Sequence, residues 1–196
     1  MRIAKAVAHL RSDPIMKRVI ETHEPPVLPP PVSNFESLAS SIVSQQLSVR
    51  SAAAIWSRFD ALLDRVITPE NTLRQSVEDL RGVGLSCPKI EYLHSLAQAF
   101  VDDPADYENL SGMSDTEVID HLTRIKGIGV WTSQMFLIFT LLREDVFPLG
   151  DLGIRRAIET LYYEGEKRPH GELVTLSERW MPFRSVASLY LWKSVD

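Results

Sequence analysis

The sequence predicts an all-α protein. Apolar residues recur at helical spacing along most of the chain, and no run alternates with the period of two that a strand needs. Ser, Thr or Asp also stands at the N-cap position before many of the apolar segments. In chain order, Asp13 caps a helix with Pro14 in its first position, running to about Thr22. Residues 24 to 32 hold five prolines and read as an extended linker. Ser33 and Glu36 form the pair of a capping box, opening a helix with Phe35, Leu38 and Ile42 on one face. Ser48 caps the next, through Ala53 and Trp56 to Leu63. Thr68-Pro69 and Ser86-Cys87-Pro88 repeat the cap-plus-proline signal before two more helices, and the segments after Asp151 and after Ser177 each add one or more.

The densest information lies in Leu122-Thr-Arg-Ile-Lys-Gly-Ile-Gly-Val-Trp-Thr-Ser-Gln134 and in Asp151, about one helix later. Ser114 and Glu117 make a capping box for a helix whose apolar face is Val118, Ile119, Leu122 and Ile125. Gly127 and Gly129 then permit a tight hairpin with its backbone uncovered. The following helix, Trp131 to Leu142, is apolar on nearly every side and is expected to be buried. Helix, Gly-Ile-Gly hairpin, helix is a device for presenting unobstructed amides to a phosphate. The carboxylate of Asp151 adds a reaction to that grip.

Composition narrows the classes. A chain of 196 residues fits one large domain or two lobes with a sizeable core. No segment approaches a membrane span, and the first residues lack a signal-peptide core, so an intracellular setting is expected, in cytoplasm and nucleoid or in a nucleus. The single Cys87 excludes an intramolecular disulfide and a cysteine-ligated iron–sulfur cluster within the chain. A formal charge of −5 argues against a nucleic-acid partner, since phosphate binding normally leaves a basic footprint. A hairpin that binds through backbone amides needs few lysines, which answers the objection. The five histidines, at 9, 23, 94, 121 and 170, show no metal-ligand spacing. Cys87 before Pro88 reads as structural, and residues 164 to 169 as a solvated loop.

Five segments in order carry a resemblance. They are the Phe35–Ser48 run with its Gln45-Gln46 pair, Leu80–Leu96 with Gly84-Leu-Ser, the Ile125–Ser133 hairpin, Val146–Arg155 around Asp151, and Arg179–Trp192. The chain resembles the helix–hairpin–helix DNA glycosylases, and among them the 3-methyladenine branch. The resemblance implies two helical lobes with an active-site cleft between them. Residues 33–141 would form a middle lobe carrying the motif at about 114–142, and residues 1–32 with 142–196 the second. It implies a monomer acting on double-stranded DNA that contains alkylated bases, with no required cofactor. One monovalent cation, Na+ or K+, is a candidate at the hairpin, on the main-chain carbonyls of Thr123, Ile125 and Ile128.

The chemistry follows from the residue types. A base inside a duplex must be rotated out and its gap filled. Alkylation of a ring nitrogen charges the purine and weakens the glycosidic bond, so a strong general acid is not mandatory. A carboxylate can stabilise the oxocarbenium-like sugar and orient the attacking water. Asp151 fits both roles and also suits a plain N-cap of helix 152–163, and the two are compatible. Trp131 and Trp192 would offer electron-rich faces to a cationic base, worth about 2 kcal/mol when desolvated; taken alone, both would read as core tryptophans. In the resembling family a lysine two positions after the second hairpin glycine forms the Schiff base of strand-cutting members. Trp131 stands there, and Lys126 belongs to the hairpin, facing phosphate with Gly127, Ile128 and Gly129. Relatives often carry aromatic residues where this chain has Met135 and Leu152, which implies a less aromatic base pocket. Gln46 matches the family's wedge position, with Leu47 beside it; a solvated turn glutamine is the bland alternative. Two further readings stand beside hydrolytic excision of 3-methyladenine or 7-methylguanine type bases: a non-catalytic DNA grip, and a bifunctional glycosylase/lyase.

Overall fold

The computed structural model describes residues 1–195, whose regular structure is helical throughout. In chain order the α-helices are α1 (Ile3–Leu10), α2 (Pro14–Thr22), α3 (Asn34–Ser44), α4 (Val49–Leu62), α5 (Pro69–Leu73), α6 (Val77–Gly82) and α7 (Cys87–Asp102). They continue with α8 (Pro104–Glu108), α9 (Asp115–Leu122), α10 (Val130–Phe139), α11 (Leu152–Tyr163), α12 (His170–Ser177) and α13 (Arg184–Lys193). Contacts divide the chain into two units: Met1–Pro30 with the residues from Leu137 onward, and Pro31–Phe136. The divide falls inside α10, not after it.

Most starts follow from side-chain caps. Asp13 accepts from the amides of Ile15 and Met16, Ser33 from Glu36, Ser48 from Ser51 and Thr68 from Asn71. Ser114 and Glu117 complete their box in both directions. Each cap contributes about 1 kcal/mol. Ser86 makes no such bond; α7 begins with Pro88 in its first turn and is held by Ile90, Leu93, Leu96 and Phe100 on its buried face. Ser177 is the last residue of α12, and the segment after it adds a 3-10 turn, Glu178–Trp180, and then α13.

In the first unit α13 is the centre. Residues 185 to 191 are buried without a break, with α1, α2 and α11 packed around them. Asp13 does more than cap: Tyr162 Oη donates to its Oδ2 at 2.9 Å, and the buried Trp180 Nε1 does so at 3.4 Å. Burial, with Asp13 beside it, pushes the Tyr162 phenol well up from its ordinary value. In the second unit α7 packs against α3 and α5, and Phe35, Phe100 and Tyr107 form an aromatic chain at 5.4 and 4.5 Å between centroids.

Helix α1 has no cap signal, because Arg2 makes no side-chain cap bond. Glu144 holds it instead, accepting from the Arg2 amide at 2.6 Å and from its guanidinium at 2.5 and 3.1 Å. The hydrogen bond from Arg2 holds the Glu144 carboxyl down at about 2, against an ordinary value of 4.5. A depressed carboxyl stabilises the fold above its ordinary value and stops doing so as pH falls toward the depressed one. Acid melts should therefore show a loss between about pH 4.5 and 2 that Glu144→Gln lacks; identical pH curves for the two proteins would contradict this.

Two features of α10 differ from the sequence reading. It ends at Phe139, because Leu142 adopts a left-handed φ of 54° and the Arg143 amide turns back onto the Leu137 carbonyl at 2.9 Å. Its start is also not buried: Val130 is 54% exposed and Trp131 46%. The buried residues, Thr132, Ser133, Phe136, Leu137 and Ile138, begin only at the third position of the helix.

Candidate active site and hairpin

In the first unit, the segment leading to Asp151 is fastened to the start of α13. Arg184 grips the Asp145 carboxylate with two nitrogens at 2.8 and 2.9 Å. Ser185 Oγ accepts from the Val146 amide at 2.9 Å, and the Ser185 amide donates to the Glu144 carbonyl at 3.0 Å. Val146 and Leu149 are buried, and the Asp151 amide turns back to the Pro148 carbonyl at 2.9 Å. Asp151 therefore arrives at the head of α11 on a constrained loop.

Asp151 is the N-cap, its Oδ1 accepting from the Ile154 amide at 3.0 Å. The same Oδ1 accepts from Trp192 Nε1 at 3.0 Å. Trp192 is half-buried and stacks on Phe139, with centroids 6.0 Å apart and 25° between planes. Two donors aimed at one oxygen fix the carboxylate's orientation, and bonds to an ionised acceptor are the stronger kind. Gly153 makes the arrangement possible: a Cβ there would lie 3.0 Å from Asp151 Oδ1 and 3.3 Å from Trp192 Cδ1. Asp151 is half-exposed, and Leu152 next to it is 80% exposed. Cap and displayed acid coexist in one residue.

In the second unit, α9 leads into the hairpin and α10. Ile125 and Ile128 are buried and anchor it. Gly127 has φ 93°, and a Cβ on it would stand 2.2 Å from Tyr92 Cγ, so glycine is obligatory on two counts. The Ile128 amide is spent on the Ile125 carbonyl at 3.1 Å. Gly129 follows, directly before α10, and the leading N–H groups of a helix have no acceptors within it. A Cβ on Gly129 would meet nothing within 4 Å. Lys126 is exposed and paired with Glu91 at 2.5 Å, a surface pair that an incoming phosphate can replace. Trp131 stands exposed one step after Val130, and Met135 is half-buried on the same helix. On the turn between α3 and α4, Gln46 and Leu47 are exposed, and Gln46 has φ 56°. The Gln45 side chain donates from Nε2 to the Gly127 carbonyl at 2.9 Å.

The predicted residues thus fall into two groups, one in each unit. Asp151, Leu152 and Trp192 gather at the head of α11; Lys126, Gly127, Ile128, Gly129, Trp131, Met135, Gln46 and Leu47 belong to the hairpin unit. The sequence reading passed over Gly153, Phe139, Tyr92 and the role of Gln45. A glycine in the first turn of a helix, costly relative to alanine, was a signal for Gly153; Tyr92 left none. Among the described residues no group of three or more His, Cys, Asp or Glu could hold a metal ion.

A capped helix, a glycine hairpin, a second helix and a displayed carboxylate define the helix–hairpin–helix class. A model of the HhH-GPD superfamily base excision DNA repair proteins matches residues 39–182, and the chain belongs to that family, in its 3-methyladenine DNA glycosylase branch. It is 36% identical over 197 residues to the DNA-3-methyladenine glycosylase 1 of Schizosaccharomyces pombe, covering 98% of this chain and 80% of that one. It is also similar to the crystal structure of a Bacillus halodurans DNA-3-methyladenine glycosidase, with 39% identity and a TM-score of 0.85 over 97% of this chain and 88% of that one. The S. pombe 3-methyladenine DNA glycosylase in complex with abasic DNA gives the same TM-score at 36% identity, over 97% and 96% of the two chains.

Proposed function

We propose that the protein is a monofunctional DNA glycosylase that excises alkylated purines, of the 3-methyladenine and 7-methylguanine type, by hydrolysis of the N-glycosidic bond. The observation that carries the reading is the Asp151 carboxylate, displayed at a helix start and oriented by Trp192 and Ile154. The family and the alkylation-repair relatives support it.

The duplex is held by its backbone, through the amides from Gly129 into α10, with Lys126 adding charge. The damaged nucleotide rotates out, and Gln46 with Leu47 fills the gap. Trp131 offers its face to the cationic base, with Met135 half-buried on the same helix. As the bond to the sugar lengthens, Asp151 stabilises the positive charge developing there and orients the water that attacks the anomeric carbon. The base leaves with the bonding pair, the sugar keeps the hydroxyl of the water, and the water's other proton passes to the Asp151 carboxylate and on to solvent. Lys126 is engaged with Glu91, and no lysine follows the hairpin where a Schiff base would form. The substrate then leaves with an intact, abasic strand. Borohydride should therefore trap no covalent protein–DNA adduct, and alkali should be required to break the product strand; a trapped adduct would establish a lyase. The same carboxylate speaks against a purely non-catalytic grip, which has no use for it.

The protein acts as a monomer inside the cell, where its DNA substrate lies. A Na+ or K+ ion at the hairpin fits the donor chemistry: the carbonyls of Thr123, Ile125 and Ile128 are neutral hard oxygens, and that of Ile125 keeps a second lone pair after accepting from Ile128. Such an ion would only brace the loop.

Two substitutions separate the roles of the tryptophans. Trp131→Leu should cost charged 7-methylguanine about tenfold more than neutral ethenoadenine, for a cation–π contact near 1.4 kcal/mol. Equal fractional losses would reduce Trp131 to packing. Trp192→Phe keeps a ring against Phe139 but removes the N–H on Asp151. Its single-turnover rate should fall about tenfold or more on charged and neutral lesions alike, as expected for losing a hydrogen bond to a charged group. A loss confined to charged lesions would make Trp192 a base-stacking face instead.

A further inference from the structure

We infer that Gln45 is a positioning residue, a strut that fixes the wedge turn relative to the phosphate-binding hairpin and so couples backbone capture to base extrusion. The inference rests on the proposed function.

The turn between α3 and α4 has only residues 45 to 48, and its tip, Gln46, holds a left-handed φ of 56°. A non-glycine residue keeps that conformation, at a cost of about 1 kcal/mol or more, only when its surroundings impose it. Leu47 and Gln46 are exposed and bury little of their own that would impose it. The conformation itself is that of a tight turn, closed by the Leu47 amide on the Ser44 carbonyl at 3.3 Å with Gln46 as its third residue. Polar ties on either side fix where that turn sits. Gln45 turns away from the tip and donates to the Gly127 carbonyl at 2.9 Å, across 82 residues of sequence. Lys89 Nζ donates to the Val43 carbonyl at 2.7 Å, at the last turn of α3. Lys89 and Tyr92 stand three residues apart on α7, on one face. Tyr92 is the side chain packed against Gly127.

These ties close a circuit. From the turn, Gln45 reaches the hairpin; from the hairpin, Tyr92 leads to α7; from α7, Lys89 returns to the end of α3. Gly127 cannot shift within the circuit, since its φ of 93° and its contact with Tyr92 leave no room. A phosphate captured at Gly129, two residues on, therefore sets where Gln46 and Leu47 meet the base stack. Gln45 joins the turn directly to the hairpin, and its hydrogen bond is spent on position, not on DNA. Misplacing a reacting or inserting group by about 1 Å can cost on the order of a hundredfold.

The test compares substrates that need extrusion with one that does not. Gln45→Met keeps the side chain's length but loses the donor, and Gln45→Glu keeps its shape but sets a carboxylate against the Gly127 carbonyl. Single-turnover excision of 7-methylguanine would be followed in a paired duplex and in an unpaired bulge, where little pairing remains to break. Both variants should lose about tenfold or more on the duplex and less than about threefold on the bulge, with affinity for undamaged duplex and melting temperature held. Lys89→Met, cutting the other tie, should show the same pattern. Equal losses on duplex and bulge would make Gln45 a merely structural residue, and undiminished duplex excision would remove the strut altogether. Wild-type protein that released no base from either substrate would overturn the underlying reading and this inference with it; a normal wild type beside unaffected variants would overturn the inference alone.

Discussion

Asp151→Asn should reduce single-turnover excision by about 10²–10³-fold while leaving DNA affinity intact, the size expected when one preorganised electrostatic group is lost from a reacting centre. The substitution is demanding because so little else changes. Asparagine is as good an N-cap as aspartate, so α11 should keep its start and its Ile154 bond. Its side-chain oxygen can still accept from Trp192. What disappears is the negative charge that the proposed mechanism sets against the sugar. A thermal melt of the variant should match the wild type within a degree or two. Near-wild-type excision by a folded Asp151→Asn protein would return Asp151 to being a cap alone.

The second large effect belongs to the hairpin, where two glycines two positions apart should behave in opposite ways. Gly127→Ala forces a Cβ to within 2.2 Å of Tyr92 Cγ and an alanine to φ 93°. Strain and overpacking together should cost on the order of 2–4 kcal/mol, and DNA binding should go with the hairpin. Adding Tyr92→Ala should recover the steric part and not the conformational part. At Gly129 a Cβ meets nothing. Gly129→Asp places a favoured N-cap residue before α10, so the melting temperature should hold or rise. The same carboxylate sits where phosphate is expected, so affinity should fall for all sequences alike. A stable Gly127→Ala protein, or a Gly129→Asp protein with undiminished affinity, would mean that the hairpin is built or used differently.

The contrast between these glycines marks the limit of what could be read without coordinates. Both are visible as Gly-Ile-Gly, but only the fold places Tyr92 against the first and open space beside the second. The caps at Asp13, Ser33, Ser48, Thr68 and Ser114 were legible because a cap is a local bond across two or three residues. Helix α1 was not, because Glu144, from the far end of the chain, holds its start. The short α6 and α8 went unseen for want of length; five or six residues carry no clear period. Leu142 ends α10 in a left-handed conformation with no glycine to announce it. Asp151 and Trp131 stood out in the sequence as candidates, through the hairpin motif and the resemblance it carries. That Trp192 would turn its N–H to Asp151, 41 positions before it, and that Gly153 would make room for it, depends on how α11 packs against α13. Gln45 and Gln46 are neighbours in sequence with different assignments, one tied to the hairpin and one exposed at the tip. Residue type alone could not divide them.

The most direct measurement is of what the protein releases. Purified protein incubated with methylated duplex DNA, followed by separation and mass identification of the free bases, should yield 3-methyladenine and 7-methylguanine. The DNA should keep abasic sites in strands that remain whole until alkali is added. Release of no free base, or strand scission appearing together with the base, would contradict the account.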